Sequence, residues 1–278
     1  MQRATQAGGA QLSVLVEAGS LLWAGPGGWE LRRDLERAAE VLIERSGEWK
    51  DAASLRRGLR ALLTYSEVSG HRGALEEVRR VADRASRNGT VWWDRELGGA
   101  PIAAPACVLF RLTGERRRLT QGISAGMDGA TVPPLLRTLW RGEKIGGRPQ
   151  VAAEEILASL TGLVELYRLT GEGEYLKRAM AGWDELVREH RYVTGAIGWR
   201  GKLRGDGLLP GEPGAEVGWA GATAEWMRLN WELMRVTGES RYGEEIERTV
   251  FNHLLALQDR LTGAWAGHAP LNGRRRFE

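Results

Sequence analysis

Apolar residues recur along most of this chain at the three- and four-residue spacing of amphipathic helices. The clearest set is Ile156, Leu160, Leu163, Val164 and Tyr167, which falls on one helical face. No stretch alternates apolar and polar residues beyond a few positions, as a half-buried strand would. The pattern predicts helices at 10–23, 30–45, 51–68, 72–87, 101–112, 115–126, 151–169, 173–190, 219–236 and 241–258, with a weaker one near 134–141.

A Ser/Thr-Gly pair follows the last apolar residue of several predicted helices. The four glycines of these pairs are Gly70, Gly114, Gly171 and Gly238. Glycine just beyond a helix takes the left-handed conformation that closes it, and the acidic residue after three of the pairs suits the positive end of a following helix. Each pair is therefore predicted to be the turn of a helical hairpin.

The spacing of these turns predicts how the hairpins are arranged. Successive turn glycines are 44, 57 and 67 residues apart, whereas superhelical repeats keep a nearly constant period, about 34 residues in the tetratricopeptide type. A constant turn with variable spacing favours hairpins arranged in a ring. We predict an all-α fold, an (α/α) toroid or an incomplete (α/α)6 barrel, in one domain spanning 1–278.

Composition excludes several classes of function. The net charge is +3, but no basic stripe carries the interleaved aromatic residues of a nucleic-acid site, so we predict no nucleic-acid partner. The sequence holds no apolar run of membrane-spanning length and no secretory signal, so we predict no membrane partner and expect a cytoplasmic protein. The single cysteine, Cys107, lies among apolar residues and is expected to be a small buried side chain.

Several segments resemble glycoside hydrolase family 127, the β-L-arabinofuranosidase-like group. The resemblance is strongest from about residue 150 to the end of the chain and is carried by 167–176, 192–198, 225–258 and 270–274. The Glu-Arg-Thr-Val-Phe-Asn run at 247–252 is its most specific part. From about 30 to 149 the likeness is weaker but stays in register through the turns.

This resemblance implies a double ring of helices with a catalytic cup at one rim, and a zinc ion held by a glutamate and cysteines, one of which is the nucleophile. The sequence departs from that pattern. Relatives carry a Glu-x-Cys pair where this chain has Trp219 and Gly221. The acid/base glutamate falls near Gly201, and the cysteine pair is expected beyond Glu278. We therefore predict no metal site, no cofactor and no zinc–thiolate mechanism.

The histidines offer no replacement for the missing metal ligands. They show no spacing typical of a metal site, and each is expected to be a surface or hydrogen-bonded core residue: His71, His190, His253 and His268. A shifted alignment places Glu216 at the position of the missing glutamate, but it requires three additional residues and still supplies no cysteine.

The resemblance also implies that the helix before each turn starts at the cup, so the starts of these helices indicate a candidate site. They combine tryptophans, which stack on sugar rings or cover the core beneath loops, with carboxylates, which act on substrate or cap helices. The substrate-binding candidates are Trp49, Asp51, Trp93, Asp94, Glu96, Trp199 and Trp219. The catalytic candidates are Asp206, Glu216 and Glu225.

Three functions are compatible with these residues. The first is a non-catalytic remnant of an arabinofuranosidase-like enzyme, without zinc–thiolate activity, that binds a carbohydrate, another small molecule or a partner protein. The second is a glycoside-processing enzyme that uses two carboxylates about 5 to 10 Å apart. The third is an aromatic-lined cyclase or lyase that acts on an apolar substrate. About five hairpins would leave one helical face of a six-hairpin ring unpaired, so we expect a homo-oligomer or a partner chain that completes the ring.

Overall fold

The structure is a computed structural model, and it describes residues 9–25, 28–87, 103–117, 134–147, 152–203 and 216–271. Within these segments the regular elements are helices, and extended backbone occurs as isolated β-bridges. The all-α prediction is confirmed. The α-helices are α1 Gly9–Ala24, α2 Arg32–Glu44, α3 Ala52–Ser69, α4 Arg72–Arg87, α5 Ala103–Thr113, α6 Pro134–Trp140, α7 Ala153–Thr170, α8 Gly173–Glu185, α9 Ala220–Thr237, α10 Ser240–Thr249 and α11 Leu255–Leu257.

Residue contacts divide the chain into two compact units. Unit 1 comprises Met1–Asp94 and Pro101–Ala125, and unit 2 comprises Arg95–Ala100 and Gly126–Glu278. The division does not test whether the chain is a single domain, which stays a prediction. No helix in the described segments is both long enough and apolar enough to cross a membrane.

Unit 1 is built around the pairing of α1 with α3, to which α2, α4 and α5 are added. Its core is a continuous apolar cluster that includes Leu12, Leu42, Leu62 and Val78. These residues recur at helical spacing because each helix buries one stripe against its neighbours.

Unit 2 contains the hairpins α7–α8 and α9–α10, and α7 packs directly against α9. The second hairpin joins the first through aromatic residues. The rings of Trp183 and Trp226 stack with centroids 6.0 Å apart, and the Trp183 indole N–H donates to Asn230 Oδ1 at 2.7 Å. Tyr242 meets Trp183 edge to face at 4.8 Å. Aromatic pairs in this geometry stabilise more than their buried area alone.

All four predicted turn glycines have the left-handed conformation. Their φ angles are +70° at Gly70, +70° at Gly114, +74° at Gly171 and +73° at Gly238. The amide N–H of each glycine donates to the carbonyl four residues earlier, as a helix-closing turn requires. The turn prediction is confirmed.

The structure also explains why a hydroxyl residue precedes each turn glycine. The hydroxyl of Thr170 donates to the carbonyl of Leu166 at 2.7 Å and accepts the amide N–H of Glu172 at 3.2 Å. Ser69, Thr113 and Thr237 make the same two bonds in their own turns. One side chain therefore satisfies a carbonyl at the end of one helix and an amide at the start of the next.

The ends of α8 and α10 differ from the prediction of uninterrupted helices. Each continues into a π-helical turn, Leu186–His190 after α8 and Val250–Leu254 after α10. A π turn inserts one extra residue per hydrogen-bonded turn, which apolar periodicity does not reveal. Each of these turns carries one buried histidine, His190 or His253.

Candidate functional site

Three non-helical segments of unit 2 pair side by side where α7 and α9 begin. We call these segments, 197–203, 216–219 and 266–269, the rim. Val217 is the central partner, because it bridges both Trp199 and Ala269 in antiparallel fashion. The amide of Ala153 in α7 donates to Gly201 at 2.8 Å, and the amide of Ala220 in α9 donates to the carbonyl of Gly267 at 2.9 Å. The rim is therefore hydrogen-bonded to the N-termini of both helices.

Gly218 holds the middle rim segment against the π turn that follows α10. Its carbonyl oxygen lies 2.9 Å from Nε2 of the buried His253. Because a carbonyl oxygen only accepts, Nε2 carries the proton in this contact. Gly218 has φ +62°, and a Cβ atom there would lie 2.5 Å from His253 Cε1. Only glycine fits this position, so His253 and Gly218 together set the direction in which the chain enters α9.

The rim brings Trp199, Glu216 and Trp219 close together in the fold. Trp219 is 41% exposed and stacks on His268 with centroids 5.8 Å apart. Trp199 is half-buried, and the guanidinium carbon of Arg200 lies 4.8 Å from its ring centroid. The carbonyl of Glu216 accepts the amide of Arg200 at 2.8 Å. Trp219 therefore offers the more open aromatic surface.

Glu225 and a residue that received no role in the sequence analysis, Glu154, lie near one face of α9. A Cβ atom at Gly221 would lie 2.8 Å from Glu154 Oε2, so the Glu154 carboxylate packs against the first turn of α9. Glu225 is four residues beyond Gly221, on the same helical face, and is 2% exposed. Glu225 therefore lies about one helical turn beyond the point where the Glu154 carboxylate meets α9, on the same face of that helix.

The two candidates of unit 1 that the structure describes, Trp49 and Asp51, make contacts within the fold. The ring of Trp49 is 6% exposed in the core, and a Cβ atom at Gly58 would lie 2.5 Å from it. Asp51 caps α3, accepting the amide of Ser54 at 2.8 Å and its hydroxyl at 2.7 Å. Partial burial raises the pKa of Asp51, but the hydrogen bonds from Ser54 outweigh it and hold the pKa below its ordinary value. We leave both residues out of the site proposed below.

Four other candidates, Trp93, Asp94, Glu96 and Asp206, lie outside the residues that the structure describes. Their assignments stay predictions.

Among the described residues, one group of three side chains could in principle hold a metal ion: Glu185, Glu189 and His190. The two carboxylate oxygens of Glu185 already accept the amides of Ile145 at 2.9 Å and Gly146 at 2.8 Å. Glu189 forms an ion pair with Lys144 at 3.1 Å. These contacts show that the group joins the end of α8 to the 3-10 turn Ile145–Gly147 through hydrogen bonds and an ion pair.

The electrostatics of Glu185 agree with a structural role. Burial raises the pKa of this carboxyl, but the His190 ring, with Nε2 3.6 Å from Oε1, and the hydrogen bonds from the amides of Ile145 and Gly146 outweigh burial and hold the pKa below its ordinary value. The ionised form is therefore the one that the fold stabilises.

The family to which this chain belongs follows from a match to a family model. Residues 36–276 match the model of the β-L-arabinofuranosidase GH127 catalytic domain. The chain belongs to this family. Comparison with curated proteins gives no match.

Solved structures agree with this assignment. A GH127 β-L-arabinofuranosidase from Geobacillus stearothermophilus T6 is 17% identical with a TM-score of 0.70, over 94% of this chain and 49% of that one. Another GH127 β-arabinofuranosidase is 18% identical with a TM-score of 0.72, over 94% and 46%. The GH127 chain described here thus spans about half the length of these relatives.

The fold extends to enzymes of other chemistry. A cellobiose 2-epimerase from Bacillus thermoamylovorans B4167 is 11% identical with a TM-score of 0.63, over 97% of this chain and 82% of that one. These likenesses confirm the predicted fold class, an all-α toroid of helical hairpins.

The residues of this GH127 chain do not fit the zinc–thiolate site that the family resemblance implies. The aligned ligand positions hold Trp219 and Gly221, neither of which carries a donor for zinc. The space beside Gly221 is filled by the Glu154 carboxylate. The only cysteine of the chain, Cys107, is buried in unit 1.

Proposed function

We propose that this GH127 protein binds a carbohydrate at the rim of unit 2 and lacks zinc–thiolate β-L-arabinofuranosidase activity. The observation that carries the proposal is the exposed indole of Trp219 at the start of α9, whose first turn also meets the Glu154 carboxylate at Gly221. Family membership supports a carbohydrate ligand.

The chemistry of these side chains suits a sugar. The apolar C–H face of a pyranose or furanose ring stacks on an indole, while its hydroxyl groups donate hydrogen bonds to carboxylate oxygens. Trp219 is held by its stacking on His268 and by the Gly218–His253 contact directly before it. A platform fixed in this way loses little conformational entropy on binding.

Titration calorimetry with methyl β-L-arabinofuranoside, L-arabinose, mannose and cellobiose tests this proposal. We expect saturable binding of at least one sugar and a loss of about tenfold or more in affinity, about 1.4 kcal/mol, for Trp219→Ala. Trp231→Ala is the matched control because Trp231 is 49% exposed on the same helix, three turns further from the rim. Absence of binding by every sugar, or an equal loss in both variants, would refute the proposal.

A second candidate function, glycoside hydrolysis by a carboxylate pair, is favoured by one specific observation. The carboxylate of Glu154 in α7 packs at Gly221, one turn before the buried Glu225 on the same face of α9, and a glycosidase requires two carboxyl groups about 5 to 10 Å apart. The pair would need one protonated group as general acid and one ionised group as nucleophile or base. Turnover of an aryl glycoside that Glu154→Gln and Glu225→Gln abolish, and that a chelator leaves unchanged, would establish this function.

A further inference from the structure

Helix α1 of unit 1 exposes an unusually apolar surface. Val14 is 56% exposed, Leu15 46%, Leu21 57% and Leu22 62%, and Ala18 between them is exposed as well. We call these five residues the α1 stripe. Single exposed apolar residues are common on proteins, but a continuous set along one helix marks an interaction surface.

The opposite face of α1 packs into the core of unit 1. Leu12 and Val16 are fully buried, and Glu17 pairs with Arg60 of α3 at 2.8 Å. Glu17 is the only charged residue of the helix. The stripe therefore carries no charge, whereas the solvent face of an amphipathic helix is normally polar. An uncharged stripe fits an apolar partner surface.

The spacing of the residues in the α1 stripe indicates which partner would bind there. Val14 and Leu15 precede Ala18 by four and three residues, and Leu21 and Leu22 follow it by three and four. Two antiparallel copies related by a two-fold axis at Ala18 would place Leu15 of one copy against Leu21 of the other, and Val14 against Leu22. The small side chain of Ala18 would allow the helices to approach closely at their crossing. Such self-complementarity is what an isologous interface requires.

We propose that the α1 stripe is the surface through which two copies of this chain associate, with their α1 helices antiparallel. This assigns a location to the homo-oligomer expected from an unpaired helical face. A helix of 16 residues is about 24 Å long, so the stripe alone covers less than the roughly 800 Å² per partner of a standard interface. The association is therefore reversible and depends on protein concentration.

Sedimentation velocity over the micromolar range tests the surface. Wild-type protein is expected to shift from monomer to dimer as its concentration rises, and Leu15→Glu is expected to remain monomeric because it places charges in the contact. Leu261→Glu is the matched control, since Leu261 is 96% exposed in unit 2. Thermal unfolding of each variant shows whether the monomer is still folded. A wild-type monomer at every concentration, or a dimer that Leu15→Glu leaves intact, overturns the proposal and assigns the stripe to a different occupant.

A charge exchange tests the antiparallel register. Leu21→Lys alone is expected to be monomeric, and the double variant Leu15→Glu/Leu21→Lys is expected to dimerise again, because the register sets each glutamate opposite a lysine. In a parallel pair each residue would face its own copy, and like charges would repel. A double variant that stays monomeric while folded overturns the antiparallel arrangement.

Discussion

Gly218→Ala is expected to lower the free energy of unfolding by about 3 kcal/mol or more. Two costs combine at this position. A non-glycine residue in the left-handed region costs about 1–2 kcal/mol, and an added methyl group in a filled space costs about 1–3 kcal/mol. The φ angle is +62°, and the new Cβ would lie 2.5 Å from His253 Cε1 and 2.6 Å from Ala196 Cβ. Because Trp219 follows directly, the variant is also expected to weaken sugar binding.

Gly267→Ala is the matched control, because Gly267 is also a rim glycine. A Cβ atom at Gly267 meets no atom within 4 Å, and its φ is not positive. Its substitution is expected to change stability by no more than about 0.5 kcal/mol. Urea unfolding followed by tryptophan fluorescence measures both variants. Equal losses would show that the contact between Gly218 and His253 does not organise the rim.

Glu185→Gln is expected to destabilise the protein by about 2 kcal/mol at neutral pH. The Glu185 carboxylate accepts two backbone amides, from Ile145 and Gly146, in a buried position. A glutamine has one acceptor oxygen, and its amide group would face the second backbone N–H. An unsatisfied buried donor costs about 1–3 kcal/mol. Glu189→Gln, which loses an ion pair with the exposed Lys144, is expected to cost less than about 1 kcal/mol.

The difference between wild type and Glu185→Gln should depend on pH. The folded-state pKa of Glu185 lies below its ordinary value of 4.5. Its stabilising contribution is therefore fully present above the unfolded pKa and is lost as the pH falls through the lower folded pKa. His190, Glu189 and Lys144 also lie at the contact between the end of α8 and Ile145–Gly147. The pH dependence of Glu189→Gln is therefore measured as a control. A difference that stays constant from neutral pH to well below 4.5 would contradict this role.

Much of the fold could be predicted because its signals are local. Each Ser/Thr-Gly turn depends on a hydroxyl and a glycine within a few residues, as the bonds of Thr170 and the φ angle of Gly171 show. Helix α4 was predicted with its observed bounds, since its apolar period runs its full length. The π turns after α8 and α10 could not be predicted, because each depends on a contact with a residue far away in the sequence: the His190 ring packs against Gly146, and His253 Nε2 meets the carbonyl of Gly218.

The positions of some candidate-site residues could be predicted because they depend on a local signal, the start of a helix. Glu216 and Trp219 lie beside the start of a predictable helix, and the structure brings Trp199 to them through the bridge with Val217. Glu154 received no role because its approach to Gly221 depends on how α7 packs against α9. A tryptophan beside a predicted helix start can be a binding surface or a core residue, and for Trp49 close packing against Gly58 places it in the core.

We propose that this GH127 chain keeps the helical scaffold of its family without the zinc–thiolate chemistry. Turnover of p-nitrophenyl β-L-arabinofuranoside by purified protein, with added zinc and with a chelator, tests that claim most directly. We expect no zinc-dependent release of p-nitrophenol, because Trp219 and Gly221 supply no ligand and Cys107 is buried in unit 1. Release that requires zinc and is abolished by the chelator would contradict the account.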